Sequence, residues 1–117
     1  MSELTEAGYQ TIRNYVNNNW THIEIYDDGG NAVTRVDITG DSRSQWLDLD
    51  GDNVLKVEFD VTGSDSDISL PVTLQKSAIW DSGSGGNQTT VKEQYANATL
   101  NQDGDNVTIT HTIKIPQ

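Results

Sequence analysis

Three aspartates lie close together in one short segment, Asp48-Leu49-Asp50-Gly51-Asp52, and they are the residues of this chain best suited to bind a metal ion. Carboxylate oxygens in a tight loop are ligands that Ca²⁺ prefers. The spacing departs from an EF-hand loop, because glycine stands fourth instead of sixth and Phe59 replaces the bidentate glutamate. Asp and Gly are also common turn formers. We therefore expect at most a weak cation site, formed by Asp48, Asp50 and Asp52. Similar pairs occur elsewhere, at Asp65/Asp67 and Asp103/Asp105.

Other catalytic or metal-binding patterns are weak. The chain has two histidines and no cysteine, too few for zinc unless carboxylates complete the site. His111 falls on an apolar strand face, which predicts a buried, hydrogen-bonded side chain. Gly83-Ser84-Gly85 lies in a predicted flexible loop and lacks the strand-to-helix setting of a nucleophile elbow. A carboxylate pair for glycoside hydrolysis needs a cleft, for which a chain this short has little room. We expect a non-enzymatic protein without a cofactor.

The first 19 residues predict the only helix. Leu4, Gly8, Ile12 and Tyr15-Val16 recur at spacings of three to four, which indicates one apolar stripe. Ser2 or Thr5 is a suitable N-cap, and the asparagines at 17–19 predict the helix end. The stripe either covers its own domain or packs against a neighbouring subunit. We expect the second, with an interface formed by Leu4, Gly8, Ile12, Val16 and Trp20.

From residue 20 to 117 the pattern changes to the alternation of strands. Residues 54–61 alternate most clearly, with Leu55, Val57 and Phe59 on one face, and residues 107–115 place Ile109 and Ile113 on one face. Five further short apolar runs are separated by turn residues. The sequence therefore predicts a mainly β protein: an antiparallel β-sandwich or jelly roll of about seven to eight strands after one N-terminal helix, in one domain.

The charge balance limits the partners. Eighteen Asp and Glu against seven Lys and Arg give a formal net charge of -11 on 117 residues. The seven cations are dispersed, which argues against nucleic acid. No apolar run approaches the roughly 20 residues of a membrane span, and the N-terminus has no signal-like segment, so we expect the chain to stay in the compartment where it is made. Scattered acids on a folded β domain are typical of a surface that is kept soluble in high salt, and we expect a halophilic source.

Several short motifs follow one another in a fixed order. They are the opening Leu4-Thr5-Glu6-Ala7-Gly8, the strand start Thr21-His22-Ile23-Glu24-Ile25, the strand 54–61, Trp80-Asp81 before a Gly-rich loop, and the closing strand 107–113. In this order they resemble small tail or tail-fibre proteins of tailed phages and archaeal viruses. The match weakens between Arg35 and Asp50, and Lys76-Ser77-Ala78-Ile79-Trp80 stands in place of the usual Glu-x-Gly-Leu-Phe stretch.

Together with the acidity, the resemblance implies a non-enzymatic structural protein in the virion of a tailed virus that infects a halophilic archaeon. Such a protein is assembled in the host cytoplasm. It forms symmetric homo-oligomers at the tail tip, baseplate or fibre attachment and contacts other virion proteins there. Two alternatives stay open: a capsid-surface decoration or turret protein, and a free carbohydrate-binding module that presents a tryptophan to cell-surface glycans. A small hydrolase is the least favoured.

Overall fold

The strands form two antiparallel sheets that face each other. A computed structural model describes residues 4–47 and 54–114. Its elements are α1 (Glu6–Asn19), β1 (His22–Asp27), β2 (Ala32–Asp37), β3 (Ser44–Leu47), β4 (Val54–Thr62), β5 (Val72–Trp80), β6 (Glu93–Leu100) and β7 (Asn106–Lys114). One sheet has the order β2-β1-β5-β6 and the other β3-β4-β7. The predicted mainly β sandwich with one N-terminal helix is confirmed.

The narrower jelly-roll form of that prediction is not supported. A jelly roll is built from eight strands arranged as two Greek keys. The described residues contain seven strands, and β1–β2, β3–β4 and β5–β6 each pair as neighbours within one sheet. The architecture is therefore best described as a seven-stranded sandwich, in which β1 pairs with β5 and β4 with β7.

The core lies where the alternation places it. The nine residues of β4 pair with β7 without a register shift, from Val54 opposite Lys114 to Thr62 opposite Asn106. Because side chains alternate along a strand, this register brings every second residue of both strands to the same inner face. The predicted core residues are confirmed as buried: Leu55, Val57, Phe59, Ile109 and Ile113.

The helix begins at a predicted cap and ends at the predicted asparagines. Thr5 is the N-cap, and its hydroxyl accepts a hydrogen bond from the Gly8 amide at 3.1 Å. The last helical residue is Asn19, and the C-cap is Trp20, whose amide donates to the Val16 carbonyl. Asn19 turns its side-chain amide onto the carbonyl of Tyr15, so this residue completes the last turn.

Helix α1 packs on its own sandwich through a face that the stripe did not predict. The buried side chains of α1 are Tyr9, Arg13 and Val16. Tyr9 and Val16 join the core, and Arg13 is held by an ion pair with Glu6 and a hydrogen bond to Gln10. The helix therefore covers its own core through these residues, and the expectation that the apolar stripe packs on a neighbouring subunit stays a prediction.

Candidate functional site

The aspartate pairs on the described loops bind protein groups. Arg43 lies between the β2–β3 and β4–β5 connections and forms ion pairs with Asp41, Asp65 and Asp67 at 2.8–2.9 Å. Its guanidinium also lies 5.1 Å from the centre of the Phe59 ring. The hydrogen bond from Arg43 is the main cause that lowers the pKa of Asp41 and of Asp67. These carboxylates are ligands of an arginine, and they join two loops.

The predicted cation residues Asp48, Asp50 and Asp52 lie outside the described residues, so the site stays a prediction. Within residues 4–47 and 54–114, no group of three or more histidines and carboxylates is placed to hold a metal ion. In the third predicted pair, Asp103/Asp105, the Asp105 carboxylate accepts hydrogen bonds from the amides of Asn101 and Gln102, which closes the turn before β7.

His111 is buried and hydrogen-bonded, as predicted. It is 1% exposed and lies between the sheets, with Nδ1 2.8 Å from the Ser77 hydroxyl and Nε2 3.1 Å from the Thr90 hydroxyl. Burial lowers the pKa of His111 to about 4. Ser77 is fully buried, which closes this serine–histidine pair to a substrate. Its role is to satisfy polar groups inside the sandwich.

The predicted interface residues are divided between the core and the surface. Leu4 and Ile12 are 49% and 38% exposed, and Tyr15, which continues the same stripe, is 61% exposed. Gly8 lies between them, whereas Val16 is in the core and Trp20 is partly buried against it. We call Leu4, Ile12 and Tyr15 the helix ridge. The prediction of an interface here is not tested by the fold, but the apolar stripe on which it rests is at the surface.

A groove opens beside the C-terminal end of α1, between the start of β6 and the end of β7. It encloses about 400 Å³, a size within the range of small-ligand sites. We call it the Trp20 groove, and its lining residues are Trp20, Thr89, Thr90, Val91, Glu93, Thr112, Ile113 and Lys114. Glu93 bridges the two sheets because its carboxylate accepts a hydrogen bond from the Thr112 amide at 2.9 Å. Val91 is 85% exposed at this groove.

The Gly/Ser loop after β5 is fixed by Arg35. The Arg35 guanidinium lies 3.8 Å from the centre of the Trp80 ring and pairs with Glu24 at 3.0 Å. It also donates to the carbonyl oxygens of Ser82 at 3.1 Å and Gly85 at 2.9 Å. The predicted flexible loop is therefore an organised one. No local sequence pattern predicts this contact, because Arg35 is about 50 residues away along the chain.

The same cluster buries polar groups on the outer face of the larger sheet. The Tyr26 hydroxyl donates to Glu24 at 2.6 Å and accepts from the Trp80 indole at 3.0 Å. Burial, followed by the hydrogen bond to Glu24, raises the pKa of Tyr26 to about 12. Lys92 lies 4.1 Å from the centre of the Tyr26 ring. These groups bind one another, and they form a rigid base for the loop.

Comparisons of the chain with protein-family models, curated proteins and solved structures gave no match. In the part of the chain that the structure describes, no helix is long and apolar enough to cross a membrane.

Proposed function

We propose that this chain is a non-enzymatic structural protein of a tailed virion of a halophilic archaeal virus, and that it works as a symmetric homo-oligomer at the tail tip, baseplate or fibre attachment. The observation that carries the oligomer is the helix ridge. The helix already buries Tyr9 and Val16 in its own core, so the exposed Leu4, Ile12 and Tyr15 are not needed to attach it. Adjacent exposed apolar side chains on a soluble protein favour a contact surface.

The charge distribution supports the ridge as the place where copies meet. Each copy carries a formal net charge of -11, so two copies repel each other wherever carboxylates approach. Residues 7–23 contain no Asp or Glu and form the longest acid-free stretch of the chain. Contact through the helix therefore brings fewer like charges together than contact through most other surfaces.

The halophilic part of the proposal rests on where the arginines lie. Arg13 is fully buried, and the side chains of Arg35 and Arg43 are only 14% and 22% exposed. These cations are bound by internal carboxylates or carbonyls, while many acids remain at the surface. An acidic surface of this kind needs screening by salt, which shortens the Debye length to about 3 Å at 1 M. The virion assignment itself follows from the resemblance to small tail proteins.

Light scattering of the full chain in molar NaCl tests the oligomer. We expect the wild-type chain to form one defined oligomer, and Ile12→Asp or Tyr15→Asp to reduce it to monomer. Asn14→Asp is a matched control, because it adds the same charge on the same helix, away from the ridge, and retains the oxygen that accepts from Gln10. A monomeric wild-type chain in high salt would refute the proposal.

The place in the particle needs a separate experiment. Mass spectrometry of purified virions, with immunogold labelling of the chain, should find it at the tail. Label over the capsid surface would favour the decoration or turret alternative, and absence from particles would remove the virion assignment.

A carbohydrate-binding module is the second candidate, and the Trp20 groove favours it. An indole in a groove of this size offers an apolar face for a neutral sugar, beside Thr112, while the hydroxyls of Thr89 and Thr90 bind the Ile79 backbone and His111. A glycan array in molar NaCl, with Trp20→Ala as the comparison, tests this function. Binding that Trp20→Ala abolishes supports it, and no binding to any glycan rejects it.

A further inference from the structure

The exposed large apolar side chains of the described residues lie in two places. They are Leu4, Ile12 and Tyr15 on the helix ridge and Val91 at the Trp20 groove. The ridge residues are exposed on a helix that Tyr9 and Val16 attach to the core. The groove is concave, with Trp20, Val91 and Ile113 as its apolar lining residues. One chain therefore presents an apolar ridge and an apolar groove that are not covered by each other.

Both surfaces are made from the acid-poor parts of an acidic chain. Asp and Glu are absent from residues 7–23, 82–92 and 106–117. The ridge residues Ile12 and Tyr15 come from the first stretch, and the groove draws Trp20 from the first, Thr89–Val91 from the second and Thr112–Lys114 from the third. Its one carboxylate, Glu93, already accepts a hydrogen bond from the Thr112 amide. The fold therefore brings three acid-free segments together at one place.

The groove also has a cation close to its apolar lining. Lys114 lines it and forms no ion pair among the described residues. The carboxylate of Glu6 is already paired with Arg13, so the ridge of a second copy offers this groove its apolar side chains. A neutral or acidic partner surface is preferred here over a basic one.

A copy cannot place its own ridge in its own groove. Trp20 caps the C-terminal end of α1, and Tyr9 and Val16 fix the helix on the core. If ridges met only ridges, the Trp20 groove and Val91 would stay exposed, and if grooves met only grooves, the helix would stay exposed. Ridge-in-groove contact buries both apolar surfaces at once.

We propose that the helix ridge of one copy binds in the Trp20 groove of another copy. The inference rests on the proposed homo-oligomer and specifies its contact. Two different patches of the same chain meet, so the contact closes either as a two-fold pair with two such contacts or as a ring with one contact at each interface. In both arrangements Ile12 and Val91 lie in the same interface and on different chains.

Disulfide trapping tests this contact without background, because the chain has no cysteine. Ile12→Cys and Val91→Cys are prepared separately, mixed in molar NaCl and oxidised gently. We expect a covalent dimer that contains one chain of each variant, since a disulfide needs the two Cα atoms within about 7 Å. Gln102→Cys, exposed in the turn before β7, measures cross-linking by random collision.

The outcomes distinguish the ridge-in-groove contact from the homo-oligomer on which it rests. If Ile12→Cys cross-links only with itself, the ridges meet each other and the ridge-in-groove contact is wrong although the oligomer stands. Mixed product at the level of the Gln102→Cys control also overturns the contact. A wild-type chain that is monomeric by light scattering removes the oligomer itself.

A second variant covers the case in which cysteine at the ridge disturbs assembly. Val91→Asp should reduce the oligomer to monomer. Gln94→Glu adds a charge nearby, at an exposed position of β6, and should leave the mass of the oligomer unchanged. Assembly that survives Val91→Asp contradicts a role for the groove.

Discussion

At the scale of single residues, two arginines join separate loops of the chain through contacts that the sequence does not reveal. Arg43 gathers three carboxylates from two loops, and Arg35 holds the carbonyl oxygens of a third loop. Each arginine offers five donors in a planar fork, which lets one side chain join several segments. Apart from Asp41, which is two residues from Arg43, these partners lie 22 to 50 residues away along the chain, so no local pattern predicts them. The inner faces of β4 and β7, in contrast, follow directly from alternation.

His111 predicts a loss of stability in mild acid. Burial lowers its pKa to about 4 from an ordinary value of 6.5, so the unfolded chain binds more protons between these two values. Stability is fully present above pH 6.5 and falls as the pH falls towards 4, by about 2 kcal/mol at pH 5 for this shift. Urea unfolding at constant molar NaCl measures the effect.

Two histidine variants assign that loss. His111→Gln should remove most of the slope between pH 6.5 and 5, while His22→Gln should retain it, because His22 is half-buried on the other sheet. The carboxylates whose pKa lies below its usual range, such as Asp41 and Asp67, add their own loss at lower pH. An unchanged slope in His111→Gln would contradict the assignment.

We expect a large loss of stability when the Phe59 side chain is truncated. Its ring is fully buried, and the Arg43 guanidinium lies over it. Phe59→Ala should lower the free energy of unfolding by about 3–5 kcal/mol, through lost burial and the cavity that remains. Denaturant unfolding at high salt measures it, and Ser66→Ala, at an exposed loop position, should change little. Similar values for the two variants would not fit this core.

At the scale of elements, the helix shows that an apolar stripe does not identify the face that packs on the chain's own core. The stripe through Leu4, Gly8 and Ile12 is apolar, as predicted, yet α1 buries the face of Tyr9, Arg13 and Val16. Arginine is rarely fully buried, so the sequence around Arg13, taken alone, argues against burial of this face of the helix. Its ion pair with Glu6, seven residues earlier, lies on the same side of the helix and makes that burial possible. The existence of the helix was predictable from period, but its orientation depended on one buried charge.

The loop from Asp81 to Thr89 predicts a measurable response to Arg35. Arg35→Met removes the hydrogen bonds to the Ser82 and Gly85 carbonyls and leaves the buried Glu24 without its cation. Amide hydrogen exchange at residues 82–88 should accelerate strongly, since local opening no longer breaks these bonds. Lys76→Met, on β5 of the same sheet, is the control and should leave the loop unchanged. Equal exchange in both variants would mean that other contacts fix the loop.

At the scale of the whole molecule, charge and fold act on different properties. The fold is set by alternating strands around a buried core, seven of them in the described part of the chain, and it does not require eighteen acids. The acids instead set solubility and the surfaces at which copies meet. Several of them, including Asp27, Asp37 and Asp81, accept backbone hydrogen bonds in their own turns, and these bonds lower the pKa of each. They stay ionised in neutral solution, so the repulsion among them depends on salt.

That repulsion predicts a melting temperature that rises with salt. From 0.1 M to several molar NaCl the Debye length falls from about 10 Å to below 3 Å, which removes repulsion between surface carboxylates. Differential scanning fluorimetry across this range should show a continuous rise. The variant Asp28→Asn/Asp103→Asn neutralises two exposed carboxylates that accept no hydrogen bond among the described residues, so its gain with salt should be smaller than that of the wild type, with the difference largest at low salt. The core and the arginine clusters are the same in both proteins, and this isolates the surface charge as the cause. A melting temperature that stays flat or falls with NaCl would mean that the acids are ordinary surface residues, and the halophilic origin would lose its physical support.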